Sequence, residues 1–275
     1  MAHCVLVNLD AYFRRIDYRG DTQPTLATLH ALSAAHTIAI PFENLDVLCG
    51  TGVDLAPDAV FGKLVDARRG GYCFEHNTLF LRVLEVLGFT VAPLSARVRL
   101  GRAREYTPAR THVFLRVELD GESWLADVGV GGLSLTCALR LDAAGEQATP
   151  HEPRRIVRED GRLYHQARYT DDWFDVCEFT LEEMPPIDRE VGNWYTSAHP
   201  GSHFRSRLTV ARGLPDGGRV AILNRDLTVR RRGVVAETRT FATRAELVDA
   251  LAEYFGLHFP AGTDFPCPAL DWPGA

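Results

Sequence analysis

The sequence contains no run of five or more like charges, no apolar stretch of membrane-spanning length, no internal repeat and no low-complexity linker. Each absence removes a class of protein. The longest basic run is Arg230-Arg231-Arg232 and the formal net charge is -6, so nothing draws the chain to nucleic acid. A solvated strand face accounts for the arginine triplet. No segment approaches the length that crosses a bilayer, so no membrane partner is expected. The opening Met1-Ala2-His3-Cys4-Val5-Leu6-Val7-Asn8 lacks both a basic start and a full apolar core. No secretion signal is read there, and a cytoplasmic protein is the expectation. Six cysteines, at 4, 49, 73, 137, 177 and 267, are scattered through a chain long enough to bury its own core, so free thiols are expected. No metal is expected either. Cys73 and His76 have ligand-like spacing, but no second pair completes a tetrahedral set, and Pro200-Gly201 separates His199 from His203. Gly129-Val130-Gly131-Gly132 carries only part of a dinucleotide fingerprint, with Ser134 in the place of the last glycine.

What is present is a chain of 275 residues, 46% of them hydrophobic, enough for one to three domains. Its first ninety or so residues read as helices. Leu26, Leu29 and Leu32 form an apolar stripe in a segment opened by Thr22 and Pro24, and a second helix is expected over Ala56 to Ala67. A third follows Cys73, with Leu79, Phe80, Val83, Leu84 and Leu87 on one face and Gly88 at its end. The period then switches to two. Val113, Leu115, Val117 and Leu119 alternate up to the turn signal Asp120-Gly121, and Trp124 to Val128 returns. Further strands are expected at 163–169, 173–179, 208–211, 220–223 and 227–231. Near the end, Thr243-Arg-Ala-Glu246 reads as a capping box for a helix closed by Gly256.

Chemistry concentrates at Arg69-Gly70-Gly71-Tyr72-Cys73-Phe74-Glu75, where glycines hand over to a helix. A thiol at a helix N-terminus meets the positive end of the dipole, which favours thiolate. Position alone leaves two readings of Cys73, a small core residue or a nucleophile. A base would decide between them. If Asp120-Gly121 is a two-residue turn with Leu119 facing Glu122, His112 stands opposite Gly129 and Asp127 opposite Phe114. His112 and Asp127 then share a face as diagonal neighbours, roughly 7–8 Å apart at the backbone. A carboxylate there can hold one imidazole nitrogen and leave the other for a thiol. The competing reading is a His–Asp pair that merely ties two strands.

The residues around Cys73 resemble the cysteine motif of the arylamine N-acetyltransferase family, bacterial type. Ile40-Pro-Phe-Glu-Asn-Leu-Asp-Val47 is similar to the segment upstream of it, and Thr111-His112 and Asp127-Val-Gly129 to the histidine and aspartate segments. Tyr12-Phe-Arg-Arg-Ile-Asp-Tyr18 resembles the opening helix, and Asn193-Trp-Tyr-Thr-Ser-Ala-His-Pro200 a late bacterial motif. The similarity runs from about residue 10 to about residue 210. It implies an α+β fold: a papain-like cysteine scaffold with a helical domain at 1–90 carrying Cys73, a β-barrel at 91–190 carrying His112 and Asp127, and an α/β lid at 191–275. It also implies a Cys73-His112-Asp127 triad that moves an acetyl group from acetyl-CoA to an arylamine, hydrazine or arylhydroxylamine through an acetyl-cysteine. Phe42, Thr111, Val130, His203 and Phe204 fall on acceptor-pocket positions, where core packing is the competing reading of each aromatic. Gly131 and Gly132 fall beside the CoA pyrophosphate, and Glu43 and Arg69 on a structural ion pair. Family members often carry phenylalanine where Val130 stands, which puts acceptor specificity in question. Two other functions use the same chemistry: an amide synthase of polyketide biosynthesis, and a thiol hydrolase of peptidase or transglutaminase type, in which water captures the acyl-enzyme.

Overall fold

The computed structural model describes residues 7–169 and 171–272; Cys4 lies outside them. Helix α1 (Leu9–Arg15) is capped by the Asn8 side chain, which accepts from Ala11 N. Helix α2 (Leu26–Ala39) is capped by Thr25, whose hydroxyl accepts from Thr28 N, so the cap sits three residues later than Thr22. A two-residue strand β1 (Phe42–Glu43) and a one-turn helix α3 (Leu45–Leu48) follow. The segment expected as one helix divides into α4 (Pro57–Phe61) and a π-helical turn at Gly62–Asp66. Helix α5 (Cys73–Val86) then buries Leu79, Phe80, Val83 and Leu84 against Tyr12, Leu29 and Leu32, which closes the helical core.

Strands β2 (Thr90–Val98), β3 (His112–Leu119), β4 (Glu122–Ala126), β5 (Leu139–Arg140), β6 (Arg154–Glu159), β7 (Arg162–Tyr169) and β8 (Asp172–Glu183) form one antiparallel sheet. Its order is β5-β4-β3-β2-β8-β7-β6. Gln147 stitches the two edges together. Its backbone exchanges hydrogen bonds with Arg154 on β6 at 2.7 and 3.0 Å, while its side-chain amide accepts from Arg140 N and donates to Arg140 O on β5. The sheet is thereby nearly closed into a barrel, which satisfies edge groups that would otherwise stay open.

Helix α6 (Pro186–Ala198) leads from the barrel to a second sheet. This one contains β9 (Thr209–Gly213), β10 (Gly218–Leu223), β11 (Asp226–Arg231) and β12 (Val234–Thr240), in the order β1-β9-β10-β11-β12. Strand β1, from the helical region, is therefore its edge, with Phe42 opposite Ala211. Helix α7 (Arg244–Phe255) covers the sheet, capped by the Thr243 hydroxyl and ended by Gly256. Glu246 completes the cap one residue early, accepting from Ala242 N. Among the described residues no helix is long and apolar enough to cross a membrane.

Candidate active site

Cys73 is the first residue of α5, and the loop before it is zipped onto β1. Gly71 N donates to Pro41 O, and Glu43 N donates to Gly71 O at 2.7 Å. Ionic contacts reinforce the zipper. Arg69 donates to Glu43 Oε1 at 2.7 Å and to Asp46 Oδ1 at 2.8 Å; Lys63, the only lysine in the sequence, reaches Asp46 and Glu75 at 2.7 Å each. Glu75 accepts from Tyr72 N with its other oxygen, so its carboxylate closes the first turn of α5. The Glu43–Arg69 pair is thus one part of a five-residue network whose other members, Asp46, Lys63 and Glu75, the sequence reading did not connect.

The other side of Cys73 is made by the β3–β4 hairpin. Leu119 faces Glu122 and Leu115 faces Ala126, the register expected from a two-residue Asp120-Gly121 turn. His112 opens β3, Asp127 follows the last residue of β4, and His112 Nε2 lies 2.7 Å from Asp127 Oδ2. Both are fully buried. Asn77, one turn along α5 from Cys73, ties the helix to both strands. Its Nδ2 donates to Val113 O and to Asp127 Oδ1, and its Oδ1 accepts from Val128 N. A β-carbon on Gly129 would fall 2.7 Å from Asn77 Nδ2 and 2.9 Å from Cys73 Cα, so only glycine lets this strand end approach the helix. The i to i+4 spacing of Cys73 and Asn77 was the signal for Asn77, and it went unread.

Electrostatics follow from burial against pairing. Burial alone disfavours an imidazolium at His112, yet the Asp127 charge, its hydrogen bond and a hydrogen bond with Cys73 outweigh it and raise the pKa. Burial likewise opposes the Asp127 carboxylate, but His112, Gly129 N–H and Asn77 hold it below the usual range. With Nε2 committed to Asp127, Nδ1 is the nitrogen left for the thiol. Cys73 Sγ also lies 3.6 Å from Thr111 O.

The remaining residues divide. Phe42 and Phe204 pack with Cys73, Tyr72 and Val113, their rings 6.0 Å apart, and the exposed His203 lies against Phe204 at 4.2 Å. Tyr72 is held by its hydroxyl, which donates to Asn193 Oδ1. That contact links the late bacterial-type motif to the cysteine loop. Val130 falls elsewhere, in a separate apolar cluster with Leu133, Ala167 and Val176. Gly131 lies against the Phe42 ring, and its N–H is engaged by Ser134 Oγ at 3.1 Å. Gly132 faces Ala211. Cys49, Cys137, Cys177 and Cys267 are free thiols, and among the described residues no group of His, Cys, Asp and Glu could hold a metal.

Fold and site together define an α+β protein of papain-like layout, in which a helix-borne cysteine meets an imidazole and a carboxylate carried by a hairpin. The N-acetyltransferase family is matched over residues 25–263. The arylamine N-acetyltransferase of Mycolicibacterium smegmatis is 46% identical over 255 residues, 91% of this chain and 92% of that protein. The arylamine N-acetyltransferase / N-hydroxyarylamine O-acetyltransferase of Salmonella typhimurium is 41% identical over 249 residues, covering 90% of this chain and 88% of that protein. Among solved structures, Mycobacterium marinum arylamine N-acetyltransferase in complex with CoA superposes with a TM-score of 0.87 at 42% identity, covering 90% of this chain and 92% of that one. The chain belongs to the arylamine N-acetyltransferase family.

Proposed function

We propose that the protein transfers acetyl groups from acetyl-CoA to arylamines, arylhydrazines and arylhydroxylamines, with Cys73 as nucleophile, His112 as the proton shuttle and Asp127 as its anchor. The observation that carries this reading is the buried His112–Asp127 hydrogen bond beneath the N-terminus of α5. With the Cys73 proton already held on His112 Nδ1, Cys73 Sγ attacks the thioester carbonyl; the carbonyl–sulfur bond of acetyl-CoA breaks and the CoA thiolate receives that proton. The amine nitrogen then attacks acetyl-Cys73, His112 removes the amine proton, and Cys73 leaves as the thiolate. The Cys73 amide stands at a helix position without an intrahelical partner and is the candidate donor to the oxyanion. Phe42, Phe204, Thr111, His203 and Val130 are assigned to the acceptor side, Val130 from its separate apolar cluster with Leu133, Ala167 and Val176. Gly131 and Gly132 are assigned to the donor side, where Gly131, its amide committed to Ser134, contributes room rather than a hydrogen bond.

Acetyl-CoA alone should leave a stable acetyl adduct on Cys73 and release an equal amount of CoA before any amine is added. Double-reciprocal plots for donor and acceptor should be parallel, and Cys73→Ala should abolish the adduct. Intersecting plots, or transfer surviving in Cys73→Ala, would mean direct attack by the amine. Rapid loss of the adduct to water, whatever amine is present, would make the protein a hydrolase.

A further inference from the structure

A buried polar string runs through the helical core beside the site, and the proposed transfer reaction makes no use of it. Tyr12 OH lies 2.9 Å from His36 Nδ1, His36 Nε2 lies 2.9 Å from His76 Nδ1, and His76 Nε2 lies 3.1 Å from Pro41 O. The three side chains come from α1, α2 and α5, and all are essentially without solvent. The direction of every bond is forced. A carbonyl can only accept, so His76 Nε2 carries the proton and Nδ1 accepts; His36 then donates from Nε2 and accepts at Nδ1; Tyr12 must donate. Burial, the largest cause, brings His76 down to about 4, and His36 is lowered by burial, His76 and Arg15, so both rings stay neutral.

The string ends where the cysteine loop is fastened. Pro41 O also accepts from Gly71 N, at the longer distance of 3.3 Å, and the next residue is Phe42. The Phe42 ring lies parallel to His76 at 6.4 Å. Apolar residues could hold three helices together at no desolvation cost, but they could not dictate where a carbonyl points. We propose that Tyr12, His36 and His76 are positioning residues, a one-way hydrogen-bond string that fixes the Pro41 carbonyl and, through it, the Phe42 ring on the acceptor side of Cys73. This rests on the reading of Phe42 as a wall of the acceptor pocket.

The test separates the two half-reactions. CoA release from acetyl-CoA reports acylation of Cys73, and the dependence of turnover on arylamine reports the acceptor side. His76→Leu should raise the acceptor KM about tenfold and leave the acylation rate within about twofold, the size of one lost hydrogen bond acting on a single wall. His76→Gln keeps a donor for Pro41 O and should restore most of the loss. Tyr12→Phe removes only the far end and should raise the acceptor KM by about threefold; it carries the test if His76→Leu does not fold. In the double variant Phe42→Ala/His76→Leu the two KM effects should not add. A lower Tm with acceptor KM unchanged in Tyr12→Phe and in whichever His76 variant folds would overturn the string as a positioning device. So would KM effects that add fully with Phe42→Ala. If the parent itself forms no acetyl adduct, the functional reading falls first, and the string falls with it.

Discussion

Both sheets carry an apolar core, and they differ in how much buried charge accompanies it. The five-stranded sheet packs Leu208, Val210, Val220, Ile222, Leu227 and Val229 against Leu247, Leu251 and Phe255 of α7. Inside and along the seven-stranded sheet, buried groups include the His112–Asp127 pair, Arg99 on Glu178, and Arg154 between Glu152 and His165. Apolar burial is non-directional and tolerant, so it makes a good scaffold. Buried charge is costly unless each partner is in place, so it fixes geometry while contributing little net stability. Chemistry that needs one imidazole in one orientation belongs to the second kind of surface. Arg219 is where the two meet: from β10 it donates to both oxygens of Glu152 and to Ser134 O, in the loop that follows Asp127.

The polar pair itself is where the two surfaces differ most. Asp127→Asn keeps the shape and still faces His112, but the amide favours the wrong imidazole tautomer. Activity should fall by about ten-thousand-fold, the size seen when the buried aspartate of a serine-protease triad is made an amide, with the thermal melt little changed. Steady-state rates beside a melt decide it; activity within tenfold of the parent would reduce the pair to a strand tie. Glu152→Ala should act in the opposite sense, on stability. It strands Arg154 and Arg219 without their carboxylate, at about 3–5 kcal/mol by denaturant titration. A loss below about 1 kcal/mol would show that the cluster is hydrated rather than buried.

Acid titration sharpens the same contrast. His76 and His151 are brought down to about 4 and His165 to about 3, in each case with burial as the largest cause. The sign is fixed: the folded pKa lies below the unfolded value, so the unfolded chain binds the proton first. The stability these three rings contribute is therefore whole above about pH 6.5 and is lost as pH falls toward 4, by about 1.4 kcal/mol per pH unit for each imidazole. The Glu152 carboxylate, held near 2 by Arg154 and Arg219 against the cost of burial, adds its own loss only below the ordinary carboxylate range. Melts that stay flat from pH 7 to pH 5 would contradict neutral burial of these rings.

Legibility in the sequence followed the same division. The β3–β4 register could be read because Asp120 and Gly121 both take left-handed backbone, at φ 51° and 78°, the signature of a tight hairpin. That register alone set His112 beside Asp127. Strands of alternating apolar residues were visible for the same reason. Strand β2 was not, because Pro93 reads as a breaker; it sits beside a register shift in the pairing with β8. Strand β12 is exposed along its whole length and has no apolar face to signal it. The buried ion clusters were the least legible. Glu152, Arg154 and Arg219 are 2 and 65 residues apart along the chain, and periodicity carries no information about which charges meet. The Glu43–Arg69 pair came from family resemblance, while Asp46, Lys63 and Glu75, which complete it, came only with the fold.

The smallest expected effect tests whether the apolar sheet is a passive scaffold. Ile222 is fully buried on β10, opposite Val210 of β9, and Val210 in turn faces Glu43 of β1, the residue after Phe42. A continuous ladder therefore joins this side chain to the strand that carries Phe42. Ile222→Val removes one methylene and should cost about 0.5–1.5 kcal/mol by denaturant titration. If the sheet only carries load, that cost should be the same at pH 8 and pH 5.5, because the residues around Ile222 are apolar. Acylation rate and acceptor KM should both match the parent. The alternative is that the ladder transmits: a cavity on β10 would let β9 and β1 shift and move Phe42. In that case the acceptor KM would rise while the acylation rate held. That result would place the five-stranded sheet among the elements that set specificity, and the division between a tolerant scaffold and an exacting site would no longer stand.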